Sequence, residues 1–314
     1  MARAIVYTEF GSPAVLHQIE VPDPVAARGE VVVRIEAAGV NPIDAKLRSR
    51  KRPSPDITEP RPVGFDGAGV VEVLGEGVDD FAVGDRVAIR DALGTYASAL
   101  AIPTGKLVAL PDAVTAAEGA AIGIPAGTAY QALRSLGVTD GDVLLVHAGS
   151  GAVGQAAVQF AVAWGATVIA TASPARHDQL RELGAIPISY DAGLLERVRE
   201  AAPAPVTVVL DCAGTDEAIE TSLALVADRD RIATIVRGPD AASFGIRAFS
   251  GGSPVPLTDE ELAWRAEALP KTVELLAAGD FTIELGPELP LAEAAQAHEL
   301  MESGAAPGKI ILVP

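Results

Sequence analysis

Residues 143–176 limit what this chain can fold into more than any other stretch. Val143-Leu144-Leu145-Val146-His147 is a short apolar run, the pattern of a strand buried on both faces. Gly149-Ser150-Gly151-Ala152-Val153-Gly154 follows at once, and an apolar helical pattern then runs to Trp164. Ala157, Phe160, Ala161 and Trp164 recur at i, i+3, i+4 and i+7, which is one face of a helix. Gly165 stops that helix, and Thr167-Val168-Ile169-Ala170-Thr171 reads as a second strand.

Strand, glycine turn, helix and strand make the first half of a dinucleotide-binding unit. A G-x-G-x-x-G pattern alone is weak evidence, but here it closes a strand and opens a helix. Gly149 permits the tight turn, Gly151 lets the backbone approach a pyrophosphate, and Gly154 allows close helix–strand packing. Ser150, Ala152 and Val153 complete the turn, where unpaired N–H groups and the positive end of the helix dipole would meet the anion. The competing reading is a glycine-rich turn that binds nothing.

A length of 314 residues allows two domains with buried cores, and 49% hydrophobic with 21% charged residues is a globular composition. The net charge of −18 disfavours nucleic acid and anionic membranes as partners. Cys212 is the one cysteine, so no intramolecular disulfide forms, and the four histidines are too scattered for a metal site. Residues 143–175 lack Asp, Glu, Lys and Arg, but their glycines and Gln155 and Gln159 suit a buried strand–helix–strand better than a membrane span. No signal peptide is evident at the start, and a soluble, cytoplasmic protein is expected.

Residues 1–115 read as β-rich, with strands expected near 4–7, 15–21, 30–37, 70–74, 83–87, 94–103 and 107–110. Asp44 is placed to cap a short helix through Arg48, and the proline-rich, charged residues 49–62 read as a surface loop. From about residue 116 strands and helices alternate, the signature of a parallel sheet wrapped by helices. Ser173-Pro174 is a helix start with a capping serine, strands are expected at 186–190, 206–210 and 231–236, and residues 244–249 read as the edge strand. An exposed edge there would suit a homodimer. A helix over 259–278 should kink or split at Pro270, and 281–284, 291–302 and 309–313 follow as strand, helix and strand. This order implies a discontinuous domain, 1–115 with 255–314, around a nucleotide domain of 116–254.

The chain resembles the medium-chain dehydrogenase/reductase superfamily over essentially its whole length, and within it the zinc-free quinone oxidoreductases, the zeta-crystallin-like group. The residues that carry the likeness are Ala38-Gly39-Val40-Asn41-Pro42-Ile43-Asp44, Gly64-Phe65-Asp66-Gly67-Ala68-Gly69-Val70-Val71, Gly84-Asp85-Arg86-Val87, Gly127-Thr128-Ala129-Tyr130, His147-Ala148 with the glycine turn, and Gly308-Lys309-Ile310-Ile311-Leu312-Val313. The resemblance implies an α/β protein, a GroES-like β-rich catalytic domain plus a Rossmann doubly wound parallel-sheet domain. The superfamily's zinc alcohol dehydrogenases place a cysteine near Val40-Asn41, a Gly-His-Glu at Gly64-Phe65-Asp66, and a four-cysteine lobe after Arg90. This chain has none of these ligands, so zinc chemistry is not expected.

The second strand ends Ala170-Thr171-Ala172-Ser173, without the acid that would bind a ribose 2′-hydroxyl and repel a 2′-phosphate. Arg176 and Ser173 could hold such a phosphate, the competing reading for Arg176 being a solvated surface residue. The resemblance adds Tyr190 to that pocket, Thr128 beside the nicotinamide or its ribose, and Lys309 as a further cofactor contact. The expected cofactor is therefore NADP(H). The expected reaction is hydride transfer to a quinone or α,β-unsaturated carbonyl, whose added charge spreads without a metal. Hydrogen-bond donors to the acceptor oxygen are then needed, and the resemblance places Asn41 and Lys46 beside the cleft. Asn41 equally suits a helix cap, Lys46 a surface charge, and Thr128 a helix cap. Two other functions stay open: an enoyl-thioester reductase, and a non-catalytic NADPH-binding protein of crystallin-like or sensory type.

Overall fold

A computed structural model describes residues 1–249, 253 and 255–314 of the chain. It divides into two compact units, Met1–Ile124 with Leu269–Pro314, and Pro125–Ala268.

The first unit is built on valine-rich, alternating strands. Its main sheet runs in the order Leu285–Pro290, Lys309–Val313, Glu30–Gly39, Asp66–Leu74, Arg86–Ile89 and Leu107–Ala109, with Ala99–Pro103 also paired to Glu30–Gly39. The closing strand meets Glu30–Gly39 antiparallel, Ile311 opposite Gly39 and Leu312 opposite Ala38. A smaller sheet joins His17–Val21, Ala2–Tyr7 and Arg61–Pro62. Val31, Val33, Val71, Val87 and Ile89 are fully buried between these layers and anchor one hydrophobic core.

The second unit carries a six-stranded, all-parallel sheet. Its order is Ile186–Ile188, Thr167–Thr171, Val143–His147, Val208–Asp211, Ile232–Thr234 and Arg247–Ala248. This is the doubly wound order, in which the sequence runs outward from a central first strand to one edge and then to the other. The first strand is buried at every position, as a strand packed on both faces must be. Helices Ala152–Ala163, His177–Glu182, Leu194–Ala201, Asp216–Leu225 and Gly238–Phe244 lie in sequence between successive strands.

Several local expectations change. Asn41 is the N-cap of helix Pro42–Arg48, and Asp44 at the third helical position accepts from the Asn41 backbone N–H at 2.9 Å; the acid closes a capping box and does not itself start the helix. Ser173 precedes a 3₁₀ turn, Pro174–Arg176, and its side chain makes no capping bond there. Residues 244–249 are not one strand: Phe244 ends a helix, Gly245 turns left-handed with φ 68°, and only Arg247–Ala248 pairs at the sheet edge. Pro270 lies inside a continuous helix, Asp259–Ala278, where a proline removes one backbone bond without ending the helix. The strand expected at 281–284 forms instead at Leu285–Pro290. Of Ser250-Gly251-Gly252-Ser253-Pro254, which precede the helix expected over 259–278, only Ser253 is among the described residues. Among the described residues no helix is long and apolar enough to cross a membrane.

Candidate functional site

In the second unit, the turn after Val143–His147 is held by the neighbouring strand. The Ala148 N–H donates to Thr171 Oγ1 at 2.9 Å and the Gly149 N–H to the Thr171 carbonyl at 2.9 Å. Ala148 itself takes φ 55°, a left-handed conformation that costs a non-glycine residue about 1 kcal/mol or more. Gly154 is required by packing, because a Cβ there would stand 2.4 Å from the Ala148 carbonyl oxygen. Gly151 is different: a Cβ would meet only that same oxygen, at 3.5 Å, an ordinary contact. Nothing inside the protein forbids a side chain at Gly151, so internal packing does not account for the glycine there.

Gly151 caps helix Ala152–Ala163 without any side-chain capping bond, and Gly151 and Ala152 are exposed. The first-turn N–H groups therefore face outward with the positive end of the dipole behind them. Gln155 donates to the Ser150 carbonyl at 2.7 Å and steadies the middle of the turn. Ser150, Gly151, Ala152 and Val153 thus offer the open side of a cradle, with Gly154 buried beneath. This arrangement fits a dinucleotide pyrophosphate.

His147, below the turn, is a buried neutral imidazole: burial lowers its pKa to about 4, and Nε2 lies 3.1 Å from Ser222 Oγ. Asp211 ends the next strand and receives the N–H groups of Ala213 and Gly214, both at 2.9 Å, and the Thr234 hydroxyl at 2.7 Å. Burial pushes the Cys212 thiol up, which leaves it a poor nucleophile.

Ser173 and Tyr190 both follow the ends of paired neighbouring strands. Thr171 pairs with Ile188, and the Ala172 N–H donates to the Ile188 carbonyl at 2.9 Å, so each residue stands two places beyond that pair. Tyr190 lies beyond the end of its strand, not within it, and is 54% exposed. Arg176 is half-buried in the 3₁₀ turn that follows Ser173. No carboxylate stands between Ala170 and Ser173. Thr128 is buried inside helix Ala116–Ser135 and its hydroxyl receives Arg265 Nη1 at 3.3 Å, so it caps nothing.

In the first unit, Asn41 and Lys309, 268 positions apart, meet in a buried polar cluster. Lys309 Nζ donates to Asn41 Oδ1 and lies 3.8 Å from Asp66 Oδ2. Asn41 Nδ2 donates to Asp66 Oδ2 at 3.0 Å and to the Gly39 carbonyl at 3.2 Å. The Ile124 N–H donates to both Asp66 oxygens, at 3.0 and 2.9 Å. Gly123 makes room for this, since a Cβ would sit 2.3 Å from Asp66 Oδ1. Both amide hydrogens of Asn41 are thereby committed inside the unit.

The cluster continues outward. Tyr96 donates to Asp44 Oδ2 at 3.0 Å and lies 3.4 Å from His298 Nε2; Arg48 Nε donates to His298 Nδ1 at 3.3 Å and pairs with Glu302. Burial raises Asp44 to about 7 and Asp66 to about 6, against the pull of Lys309. Burial also lowers Lys309, countered by Asp66 and Asp44, and lowers His298 to about 3 with Arg48 adding to the effect. Lys46 is half-buried on the same helix as Asp44, and burial, then Arg52 and Lys51, lower its pKa. Among the described residues no group of three or more His, Cys, Asp or Glu side chains is arranged to hold a metal.

Of the residues singled out from the sequence, the structure brings Asn41 and Lys309 together in this cluster. Asp44 as a box partner, which the Asn-Pro-x-Asp spacing could have shown, and Tyr96, His298 and Arg48, which carry no local signal, emerge only from the structure.

Two family profiles match the chain: an alcohol dehydrogenase GroES-like domain at residues 27–112, and a zinc-binding dehydrogenase at 183–312. A quinone oxidoreductase of Pseudomonas aeruginosa is 34% identical, covering 100% of both chains. A quinone oxidoreductase of Sus scrofa is 32% identical over 100% of this chain and 98% of its own. The structure of Escherichia coli quinone oxidoreductase complexed with NADPH superposes with a TM-score of 0.84 at 30% identity, covering 99% of this chain and 100% of that one.

Proposed function

The chain belongs to the quinone oxidoreductase group of the medium-chain dehydrogenase/reductase superfamily, and we propose that it reduces quinones or α,β-unsaturated carbonyls with NADPH and without zinc. NADPH held at the glycine turn would supply the hydride. The open cradle from Ser150 to Val153, with Gly154 beneath it, is the seat for the pyrophosphate. Ser173, Arg176 and Tyr190 are the residues for the 2′-phosphate, and Thr128 and Lys309 are further cofactor contacts.

The single observation that carries the zinc-free reading is the closed state of Asp66. Its oxygens already receive Asn41 and the Ile124 N–H, with Lys309 beside them, and the preceding residue is Phe65, which cannot ligate a metal, where the Gly-His-Glu of the zinc enzymes has its histidine. A carboxylate so occupied has little left to offer a metal. Asn41, with both amide hydrogens committed, acts here by fixing Lys309 and not by donating to the acceptor. Lys46, half-buried and placed beside the cleft by the resemblance, is the proposed donor to the acceptor oxygen.

NADPH absorbance followed with a panel of 1,4-quinones, 2-alkenals and 2-alkenones, in the presence of a zinc chelator, tests this reading. Turnover of at least one class supports it. Binding of NADPH with no oxidation by any acceptor would favour a non-catalytic role. A homodimer is part of the proposal, and light scattering reads it directly.

A further inference from the structure

Tyr190 presents an unusual problem for a residue that selects a cofactor. It lies in the loop 189–192, past the end of its strand, and more than half of it is exposed. A tyrosine on an unsupported loop would lose ordering entropy on meeting a phosphate, and its selectivity would fall accordingly.

The support comes from the following helix. Gly193 turns left-handed with φ 85° and starts helix Leu194–Ala201. One turn in, the Arg197 side chain bends back over the loop. Its Nε and Nη2 donate to the Ser189 carbonyl at 3.3 and 3.1 Å, Nη1 donates to the Ala192 carbonyl at 2.7 Å, and Nη2 also reaches the Asp191 carbonyl. These carbonyls lie on both sides of Tyr190. A planar guanidinium is the side chain suited to this task, since its donors stand in a fixed fork and hold three acceptors at once. Its neighbour Arg199 points elsewhere and pairs with Glu196 at 3.3 Å.

We propose that Arg197 is a positioning residue for cofactor choice: its guanidinium clamps the 189–192 backbone so that Tyr190 is pre-set against the 2′-phosphate of NADPH. This rests on the assignment of Tyr190 above and deepens it. The clamp acts through Tyr190, with no contact of Arg197 to the cofactor required.

The test is the ratio of kcat/KM for NADPH to that for NADH in the full-length enzyme, for R197A, R197K, Y190A, the R197A/Y190A pair and R199A as control. The expected result for R197A is a roughly ten-fold fall in the ratio, the worth of one good hydrogen bond to a charged group, expressed in the KM for NADPH. R197K, which keeps donors and charge, restores part of it, and R199A leaves it at the wild-type value. In the double variant the loss is no larger than in Y190A alone, because both changes remove one device. A wild-type preference that survives R197A overturns the clamp alone. Additive losses in the double variant also overturn it, since Arg197 would then act without Tyr190. A wild-type enzyme with no preference for NADPH overturns the Tyr190 assignment and the clamp together. Thermal melts of every variant separate these outcomes from misfolding.

Discussion

Asn41 Nδ2 donates to Asp66 Oδ2 at 3.0 Å, and this bond fixes the direction in which the Asn41 carbonyl faces Lys309. The three residues come from a helix N-cap, the strand Asp66–Leu74 and the closing strand of the first unit, and all are buried. Removing one member strands the others. Asp66→Ala would leave the Ile124 N–H and an Asn41 amide hydrogen without their acceptor, and the buried Lys309 ammonium without its counter-charge. The expected cost is about 3–5 kcal/mol of unfolding free energy, read from urea melts. Asp66→Asn keeps an acceptor oxygen and should lose less. Equal losses for the two variants would mean that the charge of Asp66 carries the whole effect.

Asp44 and His298 should pull the pH dependence of stability in opposite directions. The folded pKa of Asp44, about 7, lies above its ordinary value of 3.8, so its contribution is full below about pH 4 and is lost as pH rises to 7. Asp66, raised to about 6, acts in the same sense. The folded pKa of His298, about 3, lies below its ordinary 6.5, so its contribution is present above 6.5 and lost as pH falls. His147, at about 4, adds to that. Asp44→Asn removes one side of the balance while Asn can still accept from Tyr96 and the Asn41 N–H. Relative to wild type, the variant should gain stability between pH 5 and pH 8, by roughly 1–3 kcal/mol at one to two units of linkage. A difference that stays constant across that range would refute the burial argument for Asp44.

Gly151→Ala and Gly154→Ala should separate binding from folding. The Gly151 site has room for a methyl group, so the variant should melt within a few degrees of wild type and yet bind NADPH at least about ten-fold more weakly. Gly154→Ala forces a 2.4 Å contact with a backbone oxygen and should lower the melting temperature as well as the affinity. Fluorescence titration and thermal melts of the same preparations check both. Full NADPH affinity in Gly151→Ala would move the cofactor away from this turn.

Arg176→Ala should weaken NADPH binding about ten-fold or more, as loss of a charge-assisted phosphate contact does, and leave NADH binding nearly unchanged. Parallel titrations with the two nucleotides are sufficient. A loss shared equally by both would reassign Arg176 to a general structural role.

The legible parts of this chain are those whose meaning is local. The first strand, the glycine turn and its helix can be read residue by residue, because each residue answers to a neighbour within about ten positions. The sheet edge misleads for the same reason: Phe244 to Phe249 is apolar enough for a strand, but Gly245 takes φ 68° and divides it between a helix and a two-residue strand. Ser173-Pro174 carries the composition of a helix start and forms a 3₁₀ turn instead. The buried cluster is the opposite case. Arg48 meets His298 across 250 positions and Tyr96 meets Asp44 across 52, contacts that no periodicity or spacing encodes. Arg197 shows the same limit on a smaller scale, since an arginine that folds back onto its own loop has the same sequence signature as one in solvent.

Reduction by NADPH without bound zinc is open to one direct experiment. Protein stripped with a chelator is assayed for zinc by atomic absorption, and the same sample is mixed with NADPH and a 1,4-quinone. Turnover at the untreated rate with far less than one zinc per chain is the expected result; activity that vanishes on stripping and returns only with stoichiometric zinc would rule out zinc-free reduction.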